Sequence, residues 1–200
     1  MGNSEIREPI QKRSIETKDK IIEAGFELIC NDGFYNTNTS KIAKKAGVST
    51  GIIYQYFKDK RDIFLAGLDK YADDIFYPML NMPNMRFNKH ELPTMMKDMI
   101  NRYIGNHKLS AIAHEEITAM THSDKDVAFY FHKKEMEMTN KISNILIENN
   151  FNIQNINEKV HIVIGLIDNL CHEIVYHKHK ELNYDIMTDV VVNEIVNILK

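Results

Sequence analysis

The 200-residue chain is 44% hydrophobic and 26% charged, with 8 Gly, 4 Pro and a formal net charge of −3, a balance ordinary for a globular protein of one or two domains with a real core. Its longest apolar run, residues 162–167, is far too short to span a membrane, and no apolar segment follows the charged start, so a soluble cytoplasmic protein without a membrane partner is expected. Ile6 stands where Ser or Thr is required after Met1-Gly2, which excludes N-myristoylation, and Cys30 and Cys171, each inside an apolar helical pattern, read as reduced core residues.

Apolar residues recur at three- and four-residue spacing almost throughout while strand-like alternation is nearly absent, so the expected fold is all-α. The first helix is predicted from Ser14 to about Asn31, with Ile21, Ile22, Phe26 and Ile29 on one face, Gly33 just past its end, and Phe34 and Tyr35 as packing residues. Thr39 is the expected N-cap of a short helix that Gly47 ends. Ser49 caps a second short helix, Thr50 to Phe57, after a turn of only Gly47-Val48. Asp59, followed three positions later by Asp62, caps a longer helix with Ile63, Phe64, Gly67, Leu68 and Tyr71 on one stripe. Three of the four prolines fall in the stretch Phe76 to Thr94, which predicts an irregular connection. Helices then follow at about Thr94 to Asn106, Ser110 to Thr121, Ser123 to Asn149, Asn157 to Lys180 and Asp185 to Leu199.

Charge is unevenly placed along this order. Residues 39–61 hold Lys41, Lys44, Lys45, Lys58, Lys60 and Arg61 against the single acid Asp59, a local +5 in a chain of net −3. The same segment meets the demands of a helix-turn-helix. Ile42, Ala43, Ala46, Val48 and Ile53 suit a buried seam between two short helices, and Ser49, Thr50, Tyr54 and Tyr56 leave hydroxyls exposed on the second. A helix that opens with small polar residues can enter the major groove without bulky side chains holding its backbone away.

The stretch from Thr39 to Lys60, with its GVS-xG-xxY-xYF-xxK core, resembles the DNA-binding motif of the TetR family, a resemblance that covers residues 15 to about 65. Beyond residue 75 it rests on chain length and helix count. The resemblance implies an N-terminal three-helix DNA-binding domain, residues 1–60, followed by a helical effector-binding and dimerisation domain, residues 61–200. It further implies a homodimer, double-stranded operator DNA as partner, an unidentified small-molecule effector and release from a palindromic operator. Thr39, Ser49, Thr50, Gly51, Tyr54, Tyr56 and Lys60 match family positions that touch DNA, mostly phosphates. Thr50 stands where relatives often carry Lys or Arg, a contact that Lys41 or Lys44 is expected to replace. Gln55 and Thr50 are the expected base readers, because an amide pairs bidentately with adenine and a hydroxyl accepts from or donates to several bases.

The last two helices carry more apolar surface than a terminal pair hides alone, and Ile164, Ile167, Cys171, Val191, Ile195 and Ile198 are the expected dimer contacts. On the same resemblance, Tyr103, Glu115, Glu116, Met120 and His172 are expected to line the effector cavity. His172, His177 and His179 do not share one helix face, so no metal site is expected, and no cofactor is implied. His114-Glu115 and His172-Glu173 each open a HExxH pattern that lacks its second His, and no phosphate-cradling Gly-rich loop, GxSxG or CxxC is present. An enzyme is therefore not expected. The alternatives are a constitutive DNA-binding regulator with a filled regulatory core, or an enzyme on a helical scaffold.

Overall fold

The computed structural model describes residues 11–80, 86–106 and 111–200, with the backbone alone for 73–80 and 106. Among the described residues every regular element is an α-helix: α1 (Lys12–Asp32), α2 (Thr39–Ala46), α3 (Thr50–Tyr56), α4 (Lys60–Leu80), α5 (Leu92–Asn106), α6 (Ala111–Ser123), α7 (Lys125–Glu148), α8 (Ile156–Tyr176) and α9 (Tyr184–Ile198). The chain forms two compact units, Met1–Ala72 with Leu109–Ala128, and Asp73–Lys108 with Phe129–Lys200.

The first unit is organised around Ile21, Ile22, Ala24, Ile42, Ala43, Ile53, Phe57 and Ile63, contributed by α1 to α4 and the residue after α3. Ile21, Ile42, Ile53 and Ile63 are wholly enclosed, each burial contributing about 1.5–3 kcal/mol against exposure in the unfolded chain. Phe26 of α1 lies between the rings of Phe64 and Tyr71 on α4, with centroids 6.0 and 5.9 Å away. Gly67 permits that approach, since a Cβ there would stand 2.6 Å from the Phe26 ring. α6 belongs to this unit as well, with Ala113, Ile117 and Met120 buried along it.

The second unit packs α5, α8 and α9 around Leu92, Met96, Ile100, Val160, Val163, Leu170, Val192 and Leu199. Ile164, Cys171 and Ile195, expected at a dimer contact, are 8%, 0% and 0% exposed within this subunit, while Ile167, Val191 and Ile198 are half-buried. The physical reason is that the apolar stripes of α8 and α9 are wide enough to face two ways. One flank closes the subunit's own core, and Ile162, Ile186 and Val190 stand exposed on the other, with Leu166 half-buried one turn beyond Ile162.

Local expectations are corrected at four points. Asn38, not Thr39, caps α2, its side chain accepting from Lys41 N at 2.9 Å, because it is Asn38 whose backbone is extended ahead of the first turn. Tyr35 is 77% exposed whereas Phe34 is buried. α4 continues through Pro78 to Leu80, so the irregular connection starts later than expected, with residues 81–85 outside the described set. α8 ends at Tyr176, four residues short of the prediction, where His177 leaves helical geometry at φ −126, ψ 26. Residues 1–6 and Ser110, named above, lie outside the described residues.

Candidate nucleic-acid interface

The geometry of the interface begins with a turn. Gly47 takes the left-handed conformation, φ 67, ψ 34, at the end of α2, a region where a Cβ is unfavourable. Its N–H bonds Lys44 O, and Val48 N–H reaches back to Ala43 O at 3.0 Å, which closes α2 in one step. Ser49 then enters α3 in extended geometry with no capping bond from its side chain. Ile53 is buried beneath α3 while Ser49, Thr50, Gly51, Tyr54 and Gln55 are exposed and Tyr56 is half-buried. Thr39 Oγ1 and Tyr54 Oη lie 3.2 Å apart, joining the first turn of α2 to α3.

The cations divide into two sets. Lys41 Nζ donates to Asn36 O at 2.8 Å, and Lys45 pairs with Glu27 at 2.8 Å. Lys60 Nζ donates to Phe34 O and, at 2.8 Å, to Thr37 O, and lies 4.2 Å from the centre of the Phe34 ring. Burial, and then the neighbouring Arg61, hold its pKa below the ordinary lysine value. Among the described residues no acid pairs with Lys44 or Lys58, and both are exposed.

The start of α4 is pinned from the other end of the unit. Asp59 accepts from Arg61 N at 2.7 Å and Asp62 N at 3.1 Å, while Asp62 accepts from Lys58 N rather than from the cap residue itself. Arg61 donates to Asp124 from both Nε, 2.8 Å, and Nη2, 2.7 Å. Burial alone would favour the neutral form of Asp124, but bonds from Val127 N, Arg61 and Asp126 N outweigh it and keep the carboxyl below its ordinary range.

The residues expected at an effector site fall in both units. Glu115 is exposed, Met120 is buried, and Glu116 Oε1 accepts from Phe34 N at 2.7 Å, all within the first unit. In the second unit Tyr103, 4% exposed, donates to Asp168 Oδ1 at 2.7 Å, and His172 Nδ1 lies 3.3 Å from Asp168 Oδ2. Asp168, the residue that brings Tyr103 and His172 together, was missed in the sequence, although it sits one helical turn before His172. Burial, then the nearby carboxylate of Glu116 for Cys30 and of Asp168 for Cys171, push each thiol up to about 12, consistent with inert core cysteines.

Two short helices at a glycine turn, with a buried seam and an exposed polar second helix, define a helix-turn-helix protein. Residues 21–66 match the model of the bacterial regulatory proteins of the tetR family. It is 31% identical over 99 residues to the fatty acid metabolism regulator protein of Bacillus subtilis, covering 49% of this chain and 51% of that protein. It is 45% identical over 58 residues to the transcriptional regulator HbdR of Aromatoleum, covering 29% of this chain and 25% of that one. The chain thus spans about half of the first of these relatives and a quarter of the second. A solved structure from Mesorhizobium loti, assigned to the same family, superposes with a TM-score of 0.70 at 17% identity, covering 94% of this chain and 98% of that one. That likeness establishes a shared fold across nearly the whole chain.

Proposed function

We propose that the protein is a homodimeric transcriptional repressor that binds palindromic operator DNA through α3 and is released by a small-molecule effector. The observation that carries this reading is the exposed row Ser49, Thr50, Gly51, Tyr54 and Gln55 on a helix whose opposite side is locked into the core by Ile53. Such a helix presents polar atoms to a groove without yielding its own packing. Thr39, Tyr54 and Tyr56 supply hydroxyls to phosphates, Lys44 and Lys58 supply charge, Lys41 contributes from the start of α2, and Gln55 with Thr50 reads base edges. Lys60 is the remaining family-matched cation, with two of its protons already donated inside the protein.

The second unit supplies dimerisation and effector binding in this reading. Ile162, Ile186 and Val190 form the exposed apolar strip of α8 and α9, and a second copy of the chain covers it. Tyr103, Asp168 and His172 offer a carboxylate with two hydrogen-bonding neighbours, suited to a cationic or hydroxylated effector group. No helix of the described residues is long and apolar enough to cross a membrane.

The test is capture of sheared genomic DNA by the tagged chain, followed by sequencing. A recurrent inverted repeat supports the proposal, whereas fragments retrieved without any shared sequence contradict it.

A further inference from the structure

Resting on the DNA-binding reading above, we propose that Glu116 and Lys60 are positioning residues that grip one loop from two helices, so that the placement of α6 sets the placement of the reading helices. The loop is Gly33–Asn38, between α1 and α2. Its entry requires glycine: Gly33 sits at φ 89, ψ 152, and a Cβ there would lie 3.3 Å from Glu116 Oε1. The chain then presents the N–H of Phe34 to Glu116 of α6 and the C=O of the same residue to Lys60 of α4. Phe34 is 5% exposed, so water does not readily replace either partner.

The two bonds reinforce one another. An anion accepting at the N–H and a cation donating at the C=O polarise adjoining peptide groups in the same sense, and each is a charge-assisted bond. Lys60 continues to Thr37 O, whose residue is 1% exposed and whose hydroxyl closes onto Gly33 O at 3.0 Å. The next residue, Asn38, caps α2, and Thr39 meets Tyr54 of α3. A chain of contacts therefore runs from Glu116 through the loop to the exposed face of α3, all inside the first unit. Withdrawal of Glu116 strands the Phe34 N–H, loosens both Lys60 bonds and frees the start of α2. Changing Lys60 is then expected to weaken operator binding through misplaced helices as much as through a missing phosphate contact.

The experiment compares the full chain with Glu116→Gln, Glu116→Ala, Lys60→Met and the double variant Glu116→Ala/Lys60→Met. Amide hydrogen exchange is read by NMR on the free protein, and affinity is read for the captured inverted repeat. Glu116→Gln keeps an acceptor oxygen and should leave Phe34 protected. Glu116→Ala and Lys60→Met should each speed exchange at Phe34 and Lys41, lower the thermal midpoint by a few degrees, and weaken the duplex roughly tenfold or more at temperatures where the variant stays fully folded. The double variant should lose little beyond the worse single one, since both act on one loop. Unaltered exchange at Phe34 and Lys41 in Glu116→Ala overturns the proposal even if no duplex is ever bound, because that readout needs no DNA. Affinity losses that merely follow the thermal midpoint, or that Glu116→Gln fails to rescue, also overturn it. Failure of the wild-type chain to select any sequence, with the exchange pattern as expected, removes the DNA-binding reading and leaves the loop grip standing.

Discussion

Gln55 on α3 and Lys44 on α2 are both exposed and are assigned different work, which their chemistry separates. An amide that pairs with one base edge discriminates by about 1–3 kcal/mol at that position, while a lysine on a phosphate is blind to sequence. Gln55→Ala is therefore expected to flatten preference at one symmetric operator position, read by binding to a panel of single-base variants. Lys44→Ala should weaken every duplex alike and reduce the slope of log affinity against log salt by about 0.9 per half-site. Equal relaxation of preference in both variants contradicts the division. The motif around these residues was legible because it is local: Gly47 must be left-handed to close α2, and Ile42 and Ile53 must be buried, whatever the rest of the chain does. The cap was displaced by one position because Asn38 and Thr39 both carry a suitable oxygen, and only the backbone decides which one precedes the first turn. The Phe34 and Glu116 bond was not legible. It joins residues 82 positions apart, and a half-exposed glutamate on a helix carries no signature of its partner.

At the scale of elements, α4 leads from the helix-turn-helix into the second unit. It begins at Lys60 beside α3 and ends at Leu80, past the boundary between Ala72 and Asp73 where the second unit starts. Its apolar stripe packs against Phe26 of α1 through Phe64 and Tyr71. Tyr71→Ala is expected to reduce the coupling between effector and operator, typically about 1–3 kcal/mol, more than it reduces operator affinity. Titrating an identified effector with and without operator measures this, and unchanged coupling excludes the stripe as the route. The Arg61 and Asp124 contact gives α4 a second hold with a pH signature. Asp124 has its pKa below the ordinary 3.8, so its contribution is present above about pH 4 and is lost as pH falls through the lower folded value. The thermal midpoint of the wild type should fall more steeply between pH 5 and pH 2 than that of Asp124→Asn, which keeps an acceptor for the α7 amides but has no proton to gain in this range. Parallel profiles contradict the assignment.

At the scale of the whole molecule, the two flanks of α8 and α9 make separable predictions. Val190 is 54% exposed, so Val190→Asp should leave the subunit folded and place a charge in the dimer contact, giving monomers by light scattering and loss of operator binding. Ile195 is fully buried, so Ile195→Ala should cost about 2–5 kcal/mol of stability and leave a dimer. The periodic stripe in the sequence announced that both helices were unusually apolar. It did not tell inner from outer flank, because three- and four-residue spacing is the same for residues that close a core and for residues that meet a partner. The measurement that tests the account most directly is binding of the wild-type chain to the captured inverted repeat, to one isolated half-site, and to the repeat with five base pairs inserted at its centre. Two recognition helices fixed by one dimer must meet major grooves about 34 Å apart on one side of the duplex, and five base pairs rotate one half-site to the opposite side. Two chains should bind the intact repeat, and affinity for the expanded repeat should fall to that of a half-site. Equal affinity for all three duplexes would contradict this.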